Sequence, residues 1–160
     1  MFRGLTLLLV LAASIAASAQ QVKVAGVPKP QAFTRAELRA LPGRVTRVVD
    51  GKSYAGVRVA DLLVRCGQEL DSLKGRDMAR SVLVVGADEY IGLFSLAELV
   101  EKFHDADAVL ADTVDGADLP AEKGPFRLFT QDKSARGRWV DNAVRIELTP
   151  LMKQPPPRHH

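Results

Sequence analysis

The apolar residues of this chain come in short runs, and this feature limits the possible architecture more than any other. Runs such as Ser81–Val85 and Val144–Leu148 have the length of β-strands. Between such runs, Thr34–Glu37 and Ser95–Glu98 have the pattern of a capping box, in which a hydroxyl and a carboxylate three residues later satisfy the first backbone N–H groups of a helix. The alternation predicts an α+β fold, with a mixed β-sheet and short helices.

The individual elements follow from periodicity and turn signals. Strands are predicted at 22–27, 44–49, 81–85, 91–94, 108–112, 126–130 and 144–148. Helices are predicted at 34–40, 59–66 and 95–103. Asp50-Gly51 and Asp115-Gly116 predict turns, because both residue types tolerate the backbone conformations that tight turns need.

The two ends of the chain do not have the composition of a folded domain. Arg3, the apolar run Leu5–Ala17 and the small residues Ala17-Ser18-Ala19 form the pattern of a cleaved export leader. We therefore expect a signal peptide at 1–19, a mature protein in the periplasm and one domain at 20–152. The proline-rich segment 153–160, which ends in His159-His160, is predicted to be a disordered tail.

Charge does not favour nucleic acid as a partner. The 22 lysines and arginines stand against 19 aspartates and glutamates, giving a formal net charge of +3. The basic residues are scattered and form no run typical of a nucleic-acid-binding surface.

The chain has a single cysteine, Cys66, so no intramolecular disulfide can form. It lies at the end of the predicted helix 59–66, followed by Gly67, a residue typical of a helix C-terminus. Since free cysteines are among the most buried residues, we interpret Cys66 as a small packing residue. A redox role is the alternative.

Arg136, Gly137, Arg138 and Trp139 form the strongest candidate binding segment. Two arginines offer forked, permanently charged donors that suit phosphate, carboxylate or a polar heterocycle. Gly137 between them allows close approach of backbone to a ligand. The alternative is that both arginines are solvated and that Trp139 belongs to the core.

Other kinds of site have little support. His104 stands alone, without the spacing of a metal site, and no nucleophile or phosphate-loop motif occurs. Asp88 and Tyr90 lie in a polar insert between two apolar strands, where they either face a ligand or belong to a simple hairpin turn.

Several segments together resemble the molybdopterin-binding domain of the sulfite oxidase family. Gly124–Leu128 is similar to that family's Gly-x-Pro-hydrophobic-Arg-Leu strand, with one residue fewer between the glycine and the proline. Ala135–Trp139 is similar to its Gly-Ala-Arg-x-x-Lys-Trp segment, with Arg138 in place of lysine. The runs 54–63 and 110–120 also fit in order and spacing. The resemblance covers most of residues 33–149.

The resemblance implies the same α+β class and a pterin or molybdopterin as ligand. The residues that it and the side-chain chemistry assign to this ligand are Arg127, Arg136, Arg138, Trp139, Asp88, Tyr90 and Asp132. The carboxylates of Asp88 or Asp132 would accept hydrogen bonds from the pterin amino group. An arginine would donate to its carbonyl, and Tyr90 or Trp139 would stack on the ring or line the pocket.

One departure from the family pattern concerns the metal. The family holds molybdenum partly through a cysteine thiolate on the strand that corresponds to Val45–Asp50, and this strand has no cysteine here. A soft sulfur ligand is therefore missing at that position. The sequence then resembles small exported pterin-binding proteins of this fold, some of which carry a reduced pterin to the periplasmic domain of a membrane cyclic-dinucleotide enzyme.

Three functions remain open from the sequence. The first is a non-catalytic, exported pterin-binding protein that acts as a carrier or signalling adaptor. The second is a subunit of a molybdopterin-dependent oxidoreductase that holds its metal without the cysteine. The third is a structural or interaction domain with no small ligand.

Overall fold

The computed structural model describes residues 21–104, 107–131 and 133–150. The predicted leader at 1–19, the predicted tail at 153–160 and the candidate residue Asp132 lie outside these ranges. In the described part of the chain, no helix is long and apolar enough to cross a membrane.

Strands dominate the described residues. The strands are β1 (Gln21–Ala25), β2 (Gln31–Thr34), β3 (Val45–Val49), β4 (Lys52–Arg58), β5 (Ser81–Gly86), β6 (Ile91–Ser95), β7 (Val109–Val114), β8 (Ala117–Asp118), β9 (Arg127–Phe129) and β10 (Ala143–Leu148). The helices are α1 (Arg35–Ala40) and α2 (Val59–Arg65), and short 3₁₀ segments lie at Gly75–Ala79, Ala97–Leu99 and Lys133–Arg138.

The strands form two sheets rather than one. The first sheet has the order β2-β1-β10-β5-β6, in which β1 and β10 pair in parallel and the other pairs are antiparallel. The second has the order β3-β4-β7-β8, and β9 also pairs with β7. The parallel pairing joins the two ends of the described domain, so the first and last strands lie side by side in one sheet.

The main core lies between the sheets and α2. It includes the fully buried side chains of Phe33, Phe94, Leu62 and Ile146. A second, smaller cluster packs on the other face of the second sheet. We call it the outer cluster, and it consists of Val49, Tyr54, Val109, Ala111, Leu119 and Phe129, with Trp139, Val45 and Val114 packed against it. The second sheet is thus covered on both faces.

A charge network fastens α1 to the second sheet. The Asp112 carboxylate, only 1% exposed, accepts hydrogen bonds from Arg39 at 2.6 Å and from Arg44 at 2.5 Å. Asp118 pairs with Arg39 and Arg35, each at 2.5 Å. The two aspartates hold the pKa of Arg39 above its ordinary value. Because a buried carboxylate needs such partners, Asp112 fixes the position of α1.

Several predicted elements are confirmed. The Thr34–Glu37 capping box forms, and α1 ends at Ala40 as predicted. Helix α2 ends at Arg65, with Cys66 as its C-cap and Gly67 at a φ of +83°. Cys66 is completely buried in the main core, and burial raises the pKa of its thiol, an effect that the nearby Arg65 only partly offsets. The packing role of Cys66 agrees with this position.

The helix predicted at 95–103 is wrong. The capping contacts do form, since the Ser95 N–H donates to Glu98 Oε2 at 2.7 Å, but only a 3₁₀ turn at Ala97–Leu99 follows. Val100 then adopts an extended conformation, with φ of −107° and ψ of 116°. A capping box needs a single turn only, so it does not guarantee a longer helix. Strands β2, β4 and β8 were not predicted.

Candidate functional site

Successive side chains of β9 point to opposite faces of the second sheet, and this alternation determines where Arg127 lies. Leu128 points into the main core, whereas Arg127 and Phe129 lie on the other face, in and beside the outer cluster. The Arg127 guanidinium is largely buried: its Nη1 donates to the Tyr54 hydroxyl at 2.9 Å. Its Nε approaches Asp141 Oδ1 to 2.6 Å, an ion pair without the angle of a hydrogen bond.

Trp139 lies between two arginines. The guanidinium carbons of Arg127 and Arg136 lie 5.2 Å and 5.3 Å from the centroid of its ring. The ring also packs edge-on against Phe129, with 6.4 Å between centroids, and its N–H donates to the Thr130 hydroxyl at 3.4 Å. These contacts make the half-buried indole a support for both guanidinium groups through cation–π attraction.

Arg136 reaches the turn between β3 and β4. Its Nη2 donates to both carboxylate oxygens of Asp50, at 2.8 Å and 2.7 Å. Asp50 has a φ of +51° and precedes Gly51, also in the left-handed region, so the predicted Asp-Gly turn is formed. The pair is about half exposed, with Arg136 at 52% and Asp50 at 46%.

Arg138 points toward the first sheet instead. Its Nη1 donates to Glu98 Oε1 at 2.9 Å, and its guanidinium carbon lies 4.7 Å from the centroid of the Phe94 ring. Burial alone would raise the pKa of Glu98, but hydrogen bonds from Ser95 and Arg138 outweigh it, and the net shift is downward. Glu98 is therefore an ionised partner of Arg138 at neutral pH.

Gly137, between the two arginines, is the most open point of the segment. A Cβ atom at this residue would meet nothing within 4 Å. The Tyr90 hydroxyl donates to the Gly137 carbonyl, and the Tyr90 N–H donates to Asp88 Oδ1 at 3.1 Å. The segment is thus tied to the β5–β6 turn while its surface at Gly137 remains accessible.

The structure brings most of the predicted site residues to this one segment, but on two sides of it. Arg127, Arg136 and Trp139 lie toward the outer cluster, and Arg138, Tyr90 and Asp88 lie toward β6. Sequence reasoning did not identify the partners that hold them, which are Tyr54, Asp50, Glu98 and Asp141. The sequence did contain a signal for Asp50, because an Asp-Gly turn predicts an exposed carboxylate that can pair with an arginine.

Neither a metal site nor a cleft coincides with the predicted site residues in the described part of the chain. No group of three or more histidine, cysteine, aspartate or glutamate side chains in the described ranges is placed to hold a metal ion. A cleft of about 620 Å³ lies between α2 and the segment after β6, and its lining includes Arg58, Val64, Leu70 and Lys102. None of the predicted site residues lines it.

No protein-family model matches the chain, and no curated protein matches it in sequence. Among solved structures, it is similar to the crystal structure of the sulfane dehydrogenase SoxCD from Paracoccus pantotrophus. The TM-score is 0.59 and the sequence identity 22%, and the match covers 81% of this chain but only 38% of the SoxCD chain. This likeness in fold, together with one mixed sheet, one antiparallel sheet and two short helices, confirms the predicted α+β class.

Proposed function

We propose that this protein is a pterin-binding protein built on the sulfite oxidase-type fold, and that it carries its ligand rather than transforming it. The observation that carries the proposal is the exposed Gly137, flanked by two arginines whose side chains are held in place by carboxylates and aromatic rings. A flat, polar heterocycle needs such a combination of open backbone and oriented donors.

Arg136 supplies the donors in this proposal. Its contacts to Asp50 use Nη2 alone, and no partner of its Nε and Nη1 groups lies among the described residues, so we assign these N–H groups to the ligand. Because Asp50 and Trp139 fix the guanidinium, binding costs little side-chain entropy. The pterin carbonyl is the matching acceptor, since charge-assisted hydrogen bonds to a neutral carbonyl are favourable without full charge neutralisation.

Asp88, Tyr90 and Arg138 would form the other side of the ligand site. Tyr90 is 46% exposed, and its hydroxyl is fixed by the Gly137 carbonyl, so its ring is available as a wall. Asp88 is exposed, and its Oδ1 accepts from the Tyr90 N–H; Oδ2 has no partner among the described residues and would accept from an amino group of the ligand. Asp132, outside the described residues, keeps the same proposed role as an acceptor.

Arg127 and Trp139 take supporting roles in this arrangement. Arg127 is 9% exposed and contacts Tyr54, Asp141 and the Trp139 ring. Its guanidinium therefore supports Trp139 from the buried side. Trp139 in turn supports Arg136. The proposed ligand contacts are therefore Arg136 and Arg138, with Asp88, Tyr90 and Asp132.

The lack of a thiolate on β3 supports the non-catalytic role. Strand β3, Val45–Val49, corresponds to the strand that carries the molybdenum ligand in the sulfite oxidase family and contains no cysteine. Cys66 belongs to the main core, whereas Trp139 packs on the outer cluster, so this thiol does not replace the missing ligand. The chain therefore fits the organic pterin better than its metal complex.

A second candidate is a subunit of a molybdopterin-dependent oxidoreductase. The likeness to a sulfane dehydrogenase favours it, although the chain spans only 38% of that protein. The two candidates differ in metal content, which native preparations can measure.

The proposal also includes export of the protein and a partner protein that receives the ligand. The leader pattern at 1–19 supports a periplasmic location, and the partner would be the periplasmic domain of a membrane cyclic-dinucleotide enzyme. Mass spectrometry of the protein from a periplasmic extract tests export: we expect a chain that begins at Gln20, and a chain that retains Met1 would contradict it.

The ligand site is tested by titrating a reduced pterin into Arg136→Ala and Arg138→Ala, followed by fluorescence. Each loss of a charge-assisted hydrogen bond should weaken binding by about 1.5–3 kcal/mol, or roughly tenfold to more than a hundredfold. Arg145→Ala is the matched control, because Arg145 is 50% exposed and pairs with Glu147 on the first sheet, away from this segment. Unchanged affinity in both test variants would refute the site.

A further inference from the structure

The three arginines at the candidate site are each paired with a carboxylate of the protein itself. The pairs are Arg127–Asp141 at 2.6 Å, Arg136–Asp50 at 2.7 Å and Arg138–Glu98 at 2.9 Å. In the Arg136 pair a single guanidinium nitrogen, Nη2, donates to both oxygens of Asp50. Three positive charges therefore face three negative charges, and the formal sum of these pairs is zero.

The two turns that the segment contacts do not add net positive charge. In the β5–β6 turn, Asp88 and Glu89 are exposed, and the Tyr90 hydroxyl of the same turn contacts the segment. The β3–β4 turn is followed by Lys52. Together with the ion pairs, this makes four basic side chains against five acidic ones among the described residues, a formal charge of −1. The dipeptide Asp132-Lys133 is formally neutral and leaves this sum unchanged.

We propose that the site selects a pterin that carries no phosphate group and discriminates against phosphorylated pterins, molybdopterin included. This inference rests on the proposed pterin-binding function and narrows its ligand to a chemical class. A phosphate monoester has a charge of about −1.5 to −2 at pH 7, and proteins hold it through arginine or lysine groups whose charge is available. Here the phosphate would either displace a carboxylate from its arginine or lie against a formally negative surface, and both alternatives oppose binding.

The neutral pterin ring does not meet this electrostatic barrier. A carbonyl needs only a directed N–H donor, and Arg136 can supply one without leaving Asp50, because that pair occupies Nη2 alone. The Trp139 ring, whose centroid is 5.3 Å from the guanidinium carbon, supports the same orientation. Gly137 leaves room for a flat ring, since a Cβ atom there would meet nothing within 4 Å. The ion pairs therefore orient donors without providing the net positive charge that a phosphate requires.

Two ligands that differ only in the phosphate test this inference: hydroxymethyl-dihydropterin and its phosphate monoester. Each is titrated into the mature chain at low ionic strength, and binding is followed by pterin fluorescence. We expect the monoester to have a dissociation constant at least about tenfold higher than that of the uncharged pterin. The ratio of the two constants should fall as salt is added, because salt screens repulsion between charges near the surface. A monoester that binds as tightly as the uncharged pterin, or more tightly, would overturn the inference.

The variant Asp50→Asn tests whether the carboxylate partners cause the discrimination. Asparagine has the size of aspartate and tolerates the φ of +51° at this position, and its amide oxygen can still accept from Arg136. Loss of the negative charge should lower the ratio of the two dissociation constants by at least about threefold. Glu147→Gln is the matched control, because it also removes the carboxylate partner of an exposed arginine, Arg145, but on the first sheet.

The possible outcomes separate this inference from the pterin proposal. The Glu147→Gln variant should keep the wild-type ratio, whereas a folded Asp50→Asn variant with that same ratio would overturn the role of the ion pairs. Failure of both ligands to bind would overturn the pterin proposal itself. Preference for the monoester would leave pterin binding intact and overturn only the restriction to pterins without phosphate.

Discussion

Replacing Arg127 by alanine separates a supporting role from a ligand-contacting one. The sequence placed Arg127 among the pterin-binding residues, but its contacts in the structure are internal. Its Nη1 bonds Tyr54 at 2.9 Å, and its guanidinium lies 5.5 Å from the Tyr54 ring and 5.2 Å from the Trp139 ring. We therefore expect Arg127→Ala to destabilise the fold.

The magnitude follows from these contacts. The hydrogen bond to Tyr54 contributes about 1 kcal/mol and the two cation–π contacts about 0.5–1 kcal/mol each, and the buried stem adds packing. Asp141 is 43% exposed as a side chain, so we add no full penalty for a buried charge, although its Oδ1, which faces Arg127, is itself buried. The total is about 3 kcal/mol, which lowers Tm by roughly 6–12 °C for a domain of this size.

Thermal and urea unfolding measure this effect, with pterin affinity determined well below the transition. Arg145→Ala, which removes a comparably sized but exposed side chain, should stay within about 0.5 kcal/mol of the wild type. An Arg127→Ala variant with unchanged Tm and abolished pterin binding would refute the reasoning and return Arg127 to the ligand site.

Three further variants test the packing and the electrostatics. Cys66→Ala should cost roughly 1 kcal/mol in urea unfolding and leave pterin affinity unchanged, and a selective loss of affinity would show a role at the site. Asp112→Ala should cost about 3 kcal/mol by the same assay, because it removes two charge-assisted hydrogen bonds to a carboxylate that is 1% exposed, and a loss below about 1 kcal/mol would contradict this. Glu98 has a pKa below its ordinary value of 4.5, so its ionic contribution to stability is present above that pH and is lost as pH falls through the lowered pKa. The stability difference between wild type and Glu98→Gln should thus shrink on acidification below about pH 4.5, and a constant difference would contradict the assignment.

Local sequence signals predicted much of the fold. The apolar run at Ser81–Val85 became β5, because Val82 and Val84 on one face are fully buried in the main core and the backbone pairs with β6 and β10 on its two sides. The capping box at Thr34–Glu37 became the start of α1, since its hydrogen bonds depend only on residues within one turn.

The sequence did not predict strand β4, and the reason is physical. Its centre, Ala55-Gly56, has none of the branched or aromatic residues that favour strands. Gly56 is required there by packing, because a Cβ would lie 2.1 Å from the Leu110 carbonyl oxygen on β7. A glycine inside a strand can indicate such a close approach, but only the neighbouring strand shows where it occurs.

The candidate site was predicted as a set of residues but not as an arrangement. Arg136 and Arg138 are two residues apart, so the sequence suggested that both face one ligand. The structure pairs Arg136 with Asp50, 86 residues away in the β3–β4 turn, and Arg138 with Glu98, 40 residues away in the 3₁₀ segment after β6. Such long-range partners depend on sheet topology, which local patterns do not encode.

The central claim is that the chain holds a pterin without molybdenum, and native material tests it most directly. The protein is purified from the periplasm of its source under reducing, anaerobic conditions, then denatured. The released pterin is quantified by fluorescence after chromatography, and molybdenum by mass spectrometry. We expect pterin at about one per chain and only trace molybdenum. Molybdenum at about one per chain would contradict the account in favour of an oxidoreductase, and protein free of any pterin would contradict the binding role itself.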